Sequence, residues 1–377
     1  MQKITELKVF YNGIPVGTMA LYKNFLAAFE YDKDWLLEGF SISPYSLPLS
    51  KKVFMPKPEP FDGLFGVFAD SLPDGWGRLL VDRLLLKNRL NPALLTQMDR
   101  LGIVGSSGMG ALTYEPEVAL DKGEAFIDLD KIADECYKVL TTEYSDNLDE
   151  LFRLGGSSGG ARPKILTEID GEEWIIKFPA REDGKNIGRQ EYDYSLCAKE
   201  CGINMAVTRL FPSADCSGYF GTKRFDRVKK ADGSTQRVHM LSAAAMLETS
   251  HRIPNLDYDI LMKLTLDLTR DFSEVEQLYR LMCFNVFAHN RDDHAKNFSY
   301  LYDEKAKGWR LAPAYDLTYS YSLGGEHATT VHGNGQNPGM ADILNVAKEI
   351  GISTTKAKSI AENIFECVNG RLKEYLK

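Results

Sequence analysis

Two carboxylates and one carboxamide stand in a fixed order between Ala288 and Leu317. Asp292 precedes Asn297 by five residues, and Asp316 follows them after two short apolar runs. A carboxylate can accept the proton of an attacking hydroxyl group, and carboxylate and carboxamide oxygens are suitable ligands for Mg²⁺. This order of base, amide and second carboxylate predicts metal-assisted phosphoryl transfer.

The spacing is that of a protein-kinase catalytic loop, in which an aspartate base precedes a metal-binding asparagine by five residues. Arg291 occupies the position of that loop's arginine, whereas Asn290 stands where the loop has histidine. Apolar runs at 298–302 and 309–312 flank a polar turn and predict a β-hairpin between the asparagine and the second aspartate. The alternative is a solvated, charge-rich loop after a helix, which the ordered set disfavours.

A second candidate group lies in the glycine- and serine-rich segment from Gly155 to Lys164. Four glycines allow backbone N–H groups to approach phosphate oxygens closely. A predicted strand at 165–169 follows, and then an apolar strand at 174–178 that carries Lys177, as a kinase requires for its phosphate-pairing lysine. The glycine-rich stretch at 102–110 lacks the phosphate-loop pattern and is predicted to be a tight loop.

Glu191 lies in the first turns of a predicted helix from Ile187 to Cys201. A kinase has at this point the carboxylate that pairs with the strand lysine, so we expect an ion pair between Glu191 and Lys177. The alternative is a surface glutamate favoured by the positive end of the helix dipole.

The elements that must position these residues follow from hydrophobic periodicity and turn signals. Strands flank Asn12-Gly13, a dipeptide typical of hairpin turns. Ser273 and Glu276 form a predicted capping box for the helix that leads to Asp292. The other predicted helices are 61–69, 79–86, 129–140, 147–154, 256–269, 273–289 and two between 342 and 376; further strands are 207–211 and 219–225, with a hairpin turn at 229–234.

Length and composition exclude several classes of protein. At 377 residues, 44% hydrophobic and 26% charged, the chain is expected to form two or three globular units. Its sequence has no apolar segment of transmembrane length and no signal-peptide pattern at its start, which favours a cytoplasmic protein. A net charge of −8 argues against broad non-specific binding of nucleic acid and leaves room only for a local basic patch.

The six cysteines contain no C-x-x-C pair and form no metal-type cluster in sequence with the six histidines. We therefore expect reduced and mostly buried thiols.

With these elements placed, the chain resembles the HipA-like serine/threonine kinases, the toxin half of bacterial HipA–HipB toxin–antitoxin systems. The resemblance covers nearly the whole length. Its carriers are the stretch from VFYNGIPVG to FADSLPDGWGRLL, then SSGGARPK, IIKFPA, QEYDYSLCAKE, KRFDR, DDHAKNF and LAPAYDL.

The resemblance implies an α+β, protein-kinase-like two-lobed fold with an additional β-rich N-terminal subdomain and a helical C-terminal lobe. The implied boundaries are 1–115 for the N-terminal subdomain, 116–225 for the kinase N-lobe and 226–377 for the C-lobe. It also implies ATP and Mg²⁺ as cofactors, Asp292 as base, and Asn297 and Asp316 as metal ligands. The implied nucleotide contacts are Gly159, Gly160, Ala161, Arg162, Pro163, Lys164, Lys177, Lys223, Arg224, Phe225, His294, Ala295, Lys296, Asn297, Tyr315 and Asp316.

The resemblance further implies autophosphorylation in the glycine-rich loop, at Ser157 or at the adjacent Ser158. It implies a protein substrate from translation, such as an aminoacyl-tRNA synthetase, and a HipB-like DNA-binding antitoxin as partner, without a membrane. The sequence departs from the family at the hinge, where Lys223 replaces a residue that is usually acidic.

Two other functions remain open from the residues. A small-molecule kinase of the aminoglycoside-phosphotransferase type shares the D-x-x-x-x-N loop and the later metal-binding aspartate. A kinase-shaped corepressor would act mainly by holding a DNA-binding antitoxin on its operator. Candidate acceptors distinguish the first from a protein kinase, and ATP turnover distinguishes the second from both.

Overall fold

The computed structural model describes residues 3–23, 25–118, 128–141, 145, 147–156, 159–321 and 323–376. The chain forms two compact units. The first unit comprises Met1–Gly188, Leu210–Leu241 and Ala245–Thr249, and the second comprises Arg189–Arg209, Ser242–Ala244 and Ser250–Lys377. Helices and sheets are both present, which confirms the predicted α+β class. None of the described helices is long and apolar enough to cross a membrane.

The first unit begins with an antiparallel sheet of order β3-β2-β1-β4. Its strands are β1 (Glu6–Tyr11), β2 (Ile14–Tyr22), β3 (Leu26–Tyr31) and β4 (Leu112–Glu115). Asn12 and Gly13 both have positive φ, +47° and +82°, as a two-residue hairpin turn requires, so the predicted hairpin is confirmed.

Six helices of the first unit follow from apolar faces and local caps. They are α1 (Lys33–Glu38), α2 (Gly66–Ala69), α3 (Gly75–Lys87), α4 (Gln97–Val104), α5 (Leu129–Leu140) and α6 (Leu148–Gly155). The predicted helix at 61–69 forms only over α2, because Asp62 and Gly63 adopt left-handed conformations. The predicted loop at 102–110 begins inside α4, which Thr96 and Asp99 stabilise through a capping box.

The second sheet of this unit has the order β5-β6-β8-β7. Its strands are β5 (Lys164–Ile169), β6 (Glu172–Lys177), β7 (Thr208–Phe211) and β8 (Tyr219–Lys223), and a hairpin of β9 (Arg227–Lys229) and β10 (Thr235–Arg237) follows. Trp76 and Leu80 of α3 pack with Ile165, Ile176 and Phe178 in one buried cluster. This core fixes the strands that carry the candidate lysines.

The second unit is mainly helical. Its elements, and those that adjoin it in sequence, are α7 (Ile187–Glu200), β11 (Met240–Ser242), α8 (Ala243–Met246), β12 (Leu256–Asp257), α9 (Tyr258–Thr269), α10 (Phe272–Phe287), β13 (Ser299–Asp303), β14 (Gly308–Leu311), β15 (Thr329–Thr330), α11 (Met340–Ile350) and α12 (Thr354–Arg371). Helix α10 packs against α9 and α12, and its end leads into the segment with Asp292. The predicted hairpin after Asn297 is confirmed as the antiparallel pair β13 and β14.

The predicted capping box of α10 is wrong. Asp271 is the N-cap, and its carboxylate accepts a hydrogen bond of 2.8 Å from the Ser273 backbone N–H. Asp271 therefore caps the helix in place of Ser273, and the helix begins at Phe272.

Candidate active site

The segment after α10 brings Asp292 and Asn297 together. The Asn297 side-chain N–H donates a hydrogen bond of 2.7 Å to the Asp292 backbone oxygen, and Ala295–Asn297 forms a 3₁₀ turn between them. The Asp292 carboxylate is 62% exposed, and His294 Nε2 lies 3.9 Å from its Oδ1. Asp292 can therefore approach a hydroxyl group from solvent, while its backbone is held by the amide five residues later.

Asp316 is placed near the same turn by its neighbour. The Tyr315 hydroxyl donates a hydrogen bond of 2.6 Å to the Lys296 carbonyl oxygen and lies 2.6 Å from Ser299 Oγ. Asp316 itself has a φ of +58°, a conformation that residues other than glycine adopt mainly where the surroundings enforce it.

These residues fit the chemistry of a hard divalent cation. The Asn297 amide nitrogen is used by Asp292, so the carboxamide oxygen is the atom that this side chain can offer a metal. A carboxamide oxygen and a carboxylate such as that of Asp316 are the donor types that Mg²⁺ binds through one or two protein ligands, with substrate phosphates and water as the others.

A buried polar network supports this segment, and the sequence analysis missed it. Asp293, 1% exposed, accepts a hydrogen bond of 2.9 Å from the Tyr258 hydroxyl and lies 3.0 Å from His327 Nδ1. Asn285 donates to the Tyr258 oxygen and accepts from the Asn290 side chain, each at 2.9 Å. Burial raises the pKa of Tyr258 well above its usual range, so the hydroxyl remains a donor. Asn290 thus anchors the segment from the position where kinases have histidine.

In the first unit, two lysines face each other across neighbouring strands. Lys164 of β5 is the direct register partner of Lys177 of β6, and Lys164 is only 7% exposed. The Lys177 ammonium lies 5.5 Å from the ring centroid of Phe220, its partner on β8. Like charges directly opposite on paired strands are destabilising, so this face is suited to a polyanion such as a triphosphate.

The glycine-rich loop is held by the start of α3. The Gly160 N–H donates to the Asp74 carboxylate, and the Trp76 N–H donates to the Gly160 oxygen at 2.9 Å. A Cβ on Gly75 would stand 2.4 Å from that oxygen, so only glycine fits there. The Arg162 guanidinium binds the Asp183 carboxylate at 2.9 and 3.1 Å. Ser157 and Ser158 lie outside the described residues.

Two of the three predicted hinge residues, Lys223 and Arg224, form ion pairs. Lys223 Nζ lies 2.8 Å from Glu172, and the buried Arg224 guanidinium contacts Asp226 at 2.7 and 3.0 Å. Burial would raise the pKa of Asp226, but the attraction of Arg224 and Arg227 outweighs it and lowers that pKa to about 2. Arg224 therefore acts as a structural cation, and the neighbouring Phe225 is half-buried.

Glu191 is 1% exposed on α7, so its interpretation as a surface glutamate is wrong. It belongs to the second unit and Lys177 to the first, and their ion pair stays a prediction. The other predicted site residues fall into the same two groups, with Gly159 to Lys164 and the hinge in the first unit and His294 to Asp316 in the second.

Comparisons with known proteins cover almost all of these elements. The model of the HipA N-terminal domain matches residues 7–115, and that of the HipA-like C-terminal domain matches residues 156–372. Two Sinorhizobium fredii proteins are similar in sequence: "Putative kinase Y4mE" is 28% identical, covering 83% of this chain and 77% of its own, and "Putative kinase Y4dM" is 23% identical, covering 84% and 78%.

A solved structure shows the same fold. It is that of the Shewanella oneidensis MR-1 toxin–antitoxin system, a complex of HipA, HipB and operator DNA; the match has a TM-score of 0.73 at 17% identity and covers 98% of this chain and 90% of that one. Because the C-terminal family model alone spans more than half of the chain and the N-terminal model precedes it in order, this chain belongs to the HipA-like family.

Proposed function

We propose that the chain is an ATP- and Mg²⁺-dependent serine/threonine protein kinase of the HipA type. The observation that best supports the proposal is the hydrogen bond from the Asn297 side chain to the Asp292 backbone, with Tyr315 bonded to Lys296 of the same segment. Asp292, Asn297 and Asp316 follow one another in the order that the base and the metal ligands have in protein kinases. Bound Mg²⁺ would neutralise charge on the transferred phosphate. Membership of the HipA-like family supports the same activity.

Each group of residues has a distinct role in this proposal. Asp292 orients the acceptor hydroxyl and receives its proton, and Asn297 and Asp316 bind the metal. Lys164 and Lys177 hold phosphate oxygens, helped by the backbone N–H groups of Gly159, Ala161 and Arg162. Glu191 positions Lys177, while the backbone from Lys223 to Phe225 contacts adenine, and His294 to Lys296 complete the nucleotide contacts.

The proposed substrate is a protein involved in translation, and the proposed regulation is autophosphorylation at Ser157 or Ser158. A phosphoserine carries about −1.5 to −2 charges at neutral pH, so it would repel ATP phosphates from the glycine-rich loop. Peptide mapping after incubation with Mg²⁺–ATP should find phosphate between Gly155 and Lys164, and Ser157→Asp should bind ATP weakly. Phosphate found only elsewhere contradicts the regulation and leaves the kinase activity standing.

A second candidate function is that of a corepressor, because the structural neighbour was solved with HipB and operator DNA. In this proposal the chain binds a HipB-like antitoxin and contacts DNA only indirectly or through a local patch. ADP release separates the candidates. The purified chain should release ADP from Mg²⁺–ATP and do so faster with protein acceptors than with aminoglycoside-type small molecules. No ADP release under any of these conditions favours the corepressor, and faster release with small acceptors favours a small-molecule kinase.

A further inference from the structure

Three cysteine sulfurs meet in the second unit, away from the residues assigned above. The Sγ atoms of Cys197, Cys201 and Cys367 all lie within 4.8 Å of one another, and those of Cys197 and Cys367 are 4.0 Å apart. The spacing of the cysteines in sequence does not reveal this cluster, because Cys367 is 170 residues from Cys197 and only the fold brings it near.

Local structure explains the convergence. Cys197 lies in the last turn of α7, and Cys201 follows directly after the helix, four residues after Cys197, so both sulfurs lie on one face. Cys367 lies in the last turns of α12. Cys197 and Cys201 are 1% and 7% exposed, whereas Cys367 is half-buried and gives access from solvent.

The sulfur separations match those of a metal–thiolate centre. A metal ion about 2.3 Å from each of three sulfurs in a trigonal plane sets the sulfurs about 4.0 Å apart, and a tetrahedral ion sets them about 3.8 Å apart. Shifts of less than about 1 Å would bring all three into such a centre from the separations observed. Among the described residues, this is the one group of three histidine, cysteine or acidic side chains with donor atoms so close.

An ion pair joins the ends of the two helices beside the cluster. The Arg371 guanidinium, at the end of α12, donates to both carboxylate oxygens of Glu200, at the end of α7, at 2.7 Å each. This contact helps to hold Cys367 next to Cys197 and Cys201.

We propose that Cys197, Cys201 and Cys367 together bind one thiophilic metal ion, Zn²⁺ or Cu⁺. Three S–H groups release their protons to solvent, three metal–sulfur bonds form, and no electron is transferred. Thiolate ligands select these ions over Mg²⁺, and with Zn²⁺ the exposed side next to Cys367 leaves a position for water. The ion links α7 to α12 and so stiffens the helix that carries Glu191.

The test uses the full-length chain, reduced with a phosphine that leaves metals free. Titration with Cd²⁺ as a spectroscopic probe should give a thiolate-to-metal absorbance band that saturates at one ion per chain. Loss of an outer-shell partner alone costs about 10–100-fold in metal affinity, so Cys367→Ser and Cys201→Ser should weaken binding at least that much. Zn²⁺ and Cu⁺ are then compared by displacement of the bound Cd²⁺.

Cys216→Ser is the matched control, because Cys216 is also a half-buried free thiol but lies outside the cluster. Circular dichroism confirms that each variant is folded, and the metal should raise the melting temperature of wild type and Cys216→Ser but not of Cys367→Ser. Absence of the band in reduced wild type, or equal loss of binding in Cys216→Ser, would overturn the proposal.

Discussion

The Asn297 side-chain amide donates a hydrogen bond of 2.7 Å to the backbone oxygen of Asp292. This bond joins the proposed base to a proposed metal ligand through the backbone and leaves both functional atoms, a carboxylate and a carboxamide oxygen, for substrate and metal. The exposed Asp292 carboxylate and the buried carboxylate of Asp293 beside it therefore have different tasks.

Replacing Asp292 by Asn should lower phosphoryl transfer by about 10²–10⁴-fold, the usual contribution of a positioned general base. ATP should still bind, because the carboxylate acts on the acceptor. Transfer is measured as ADP release and ATP binding by thermal shift. Asp303→Asn, a change in the turn of the β13–β14 hairpin, is the control and should leave both unchanged. Near-normal transfer by Asp292→Asn would show that another group is the base.

Replacing Asp316 by Asn should weaken the stabilisation by Mg²⁺–ATP, because a neutral carboxamide oxygen replaces a charged carboxylate, while the backbone is kept, since asparagine tolerates the φ of +58°. A ligand at a hundred times its Kd stabilises a protein by about 2.7 kcal/mol, which a thermal shift detects. At the same Mg²⁺–ATP concentration the shift should be smaller in the variant than in wild type. A full shift in Asp316→Asn would rule out the metal role.

Replacing Lys177 by Met should remove activity without lowering the melting temperature of the nucleotide-free protein. Met keeps the apolar stem beside Phe220 and removes the like charge opposite Lys164. Lys229→Met, on an exposed strand of the same unit, is the control for loss of a charge. Normal turnover by Lys177→Met would mean that the glycine-rich loop and its strand serve only as scaffold.

Replacing Asp226 by Asn should destabilise the protein by about 3–5 kcal/mol, because it removes the nearest and most buried carboxylate of two buried guanidinium groups, which then keep only Glu173 at 3.5 Å. Urea unfolding measures the loss. Glu362→Gln breaks the exposed pair with Lys358 and should cost no more than about 1 kcal/mol. The folded pKa of Asp226 is about 2, below its usual value, so its stabilisation persists above about pH 4 and is lost as the pH falls further. Equal stability of the two variants would contradict the assignment.

His239 should make stability depend on pH in the opposite sense to a histidine that gains an acidic partner. Burial lowers its pKa from 6.5 to about 4. Between these values the unfolded chain binds more protons, so stability falls as the pH drops from about 6.5 to about 4.

His239→Gln should flatten this dependence by up to about 1.4 kcal/mol per pH unit, since the Gln N–H can keep the bond to the Ile42 oxygen. The free energy of unfolding is measured by urea at several pH values. His332 provides a contrast, because its hydrogen bond with Asp259 raises its pKa and the stability it adds is lost as the pH rises. An unchanged slope in His239→Gln would contradict the buried neutral imidazole.

Local signals predicted the parts of the molecule that depend on neighbouring residues. The spacing of apolar residues predicted both ends of the helix at 129–140. The Asn12-Gly13 hairpin follows from the φ angles that these residues tolerate. The spacing of Asp292 and Asn297 likewise reflects one 3₁₀ turn, so sequence order alone indicates their proximity.

Contacts between distant segments could not be predicted in this way. Nothing in the pair Asp292-Asp293 shows which carboxylate is buried, because the partners of Asp293 lie more than thirty residues away on either side. Asp74 and Gly160, which are joined by a hydrogen bond, are 86 residues apart in the sequence, and Cys367 and Cys197 are 170 residues apart. Each depends on how the elements pack.

The central claim is transfer of phosphate by this chain, and intact mass spectrometry after incubation with Mg²⁺–ATP tests it most directly. Wild type should gain the mass of one phosphate, with the modification in the glycine-rich loop, and Asp292→Asn should gain none. Wild type that stays at its starting mass and releases no ADP with any acceptor, or equal gain by Asp292→Asn, would contradict the account.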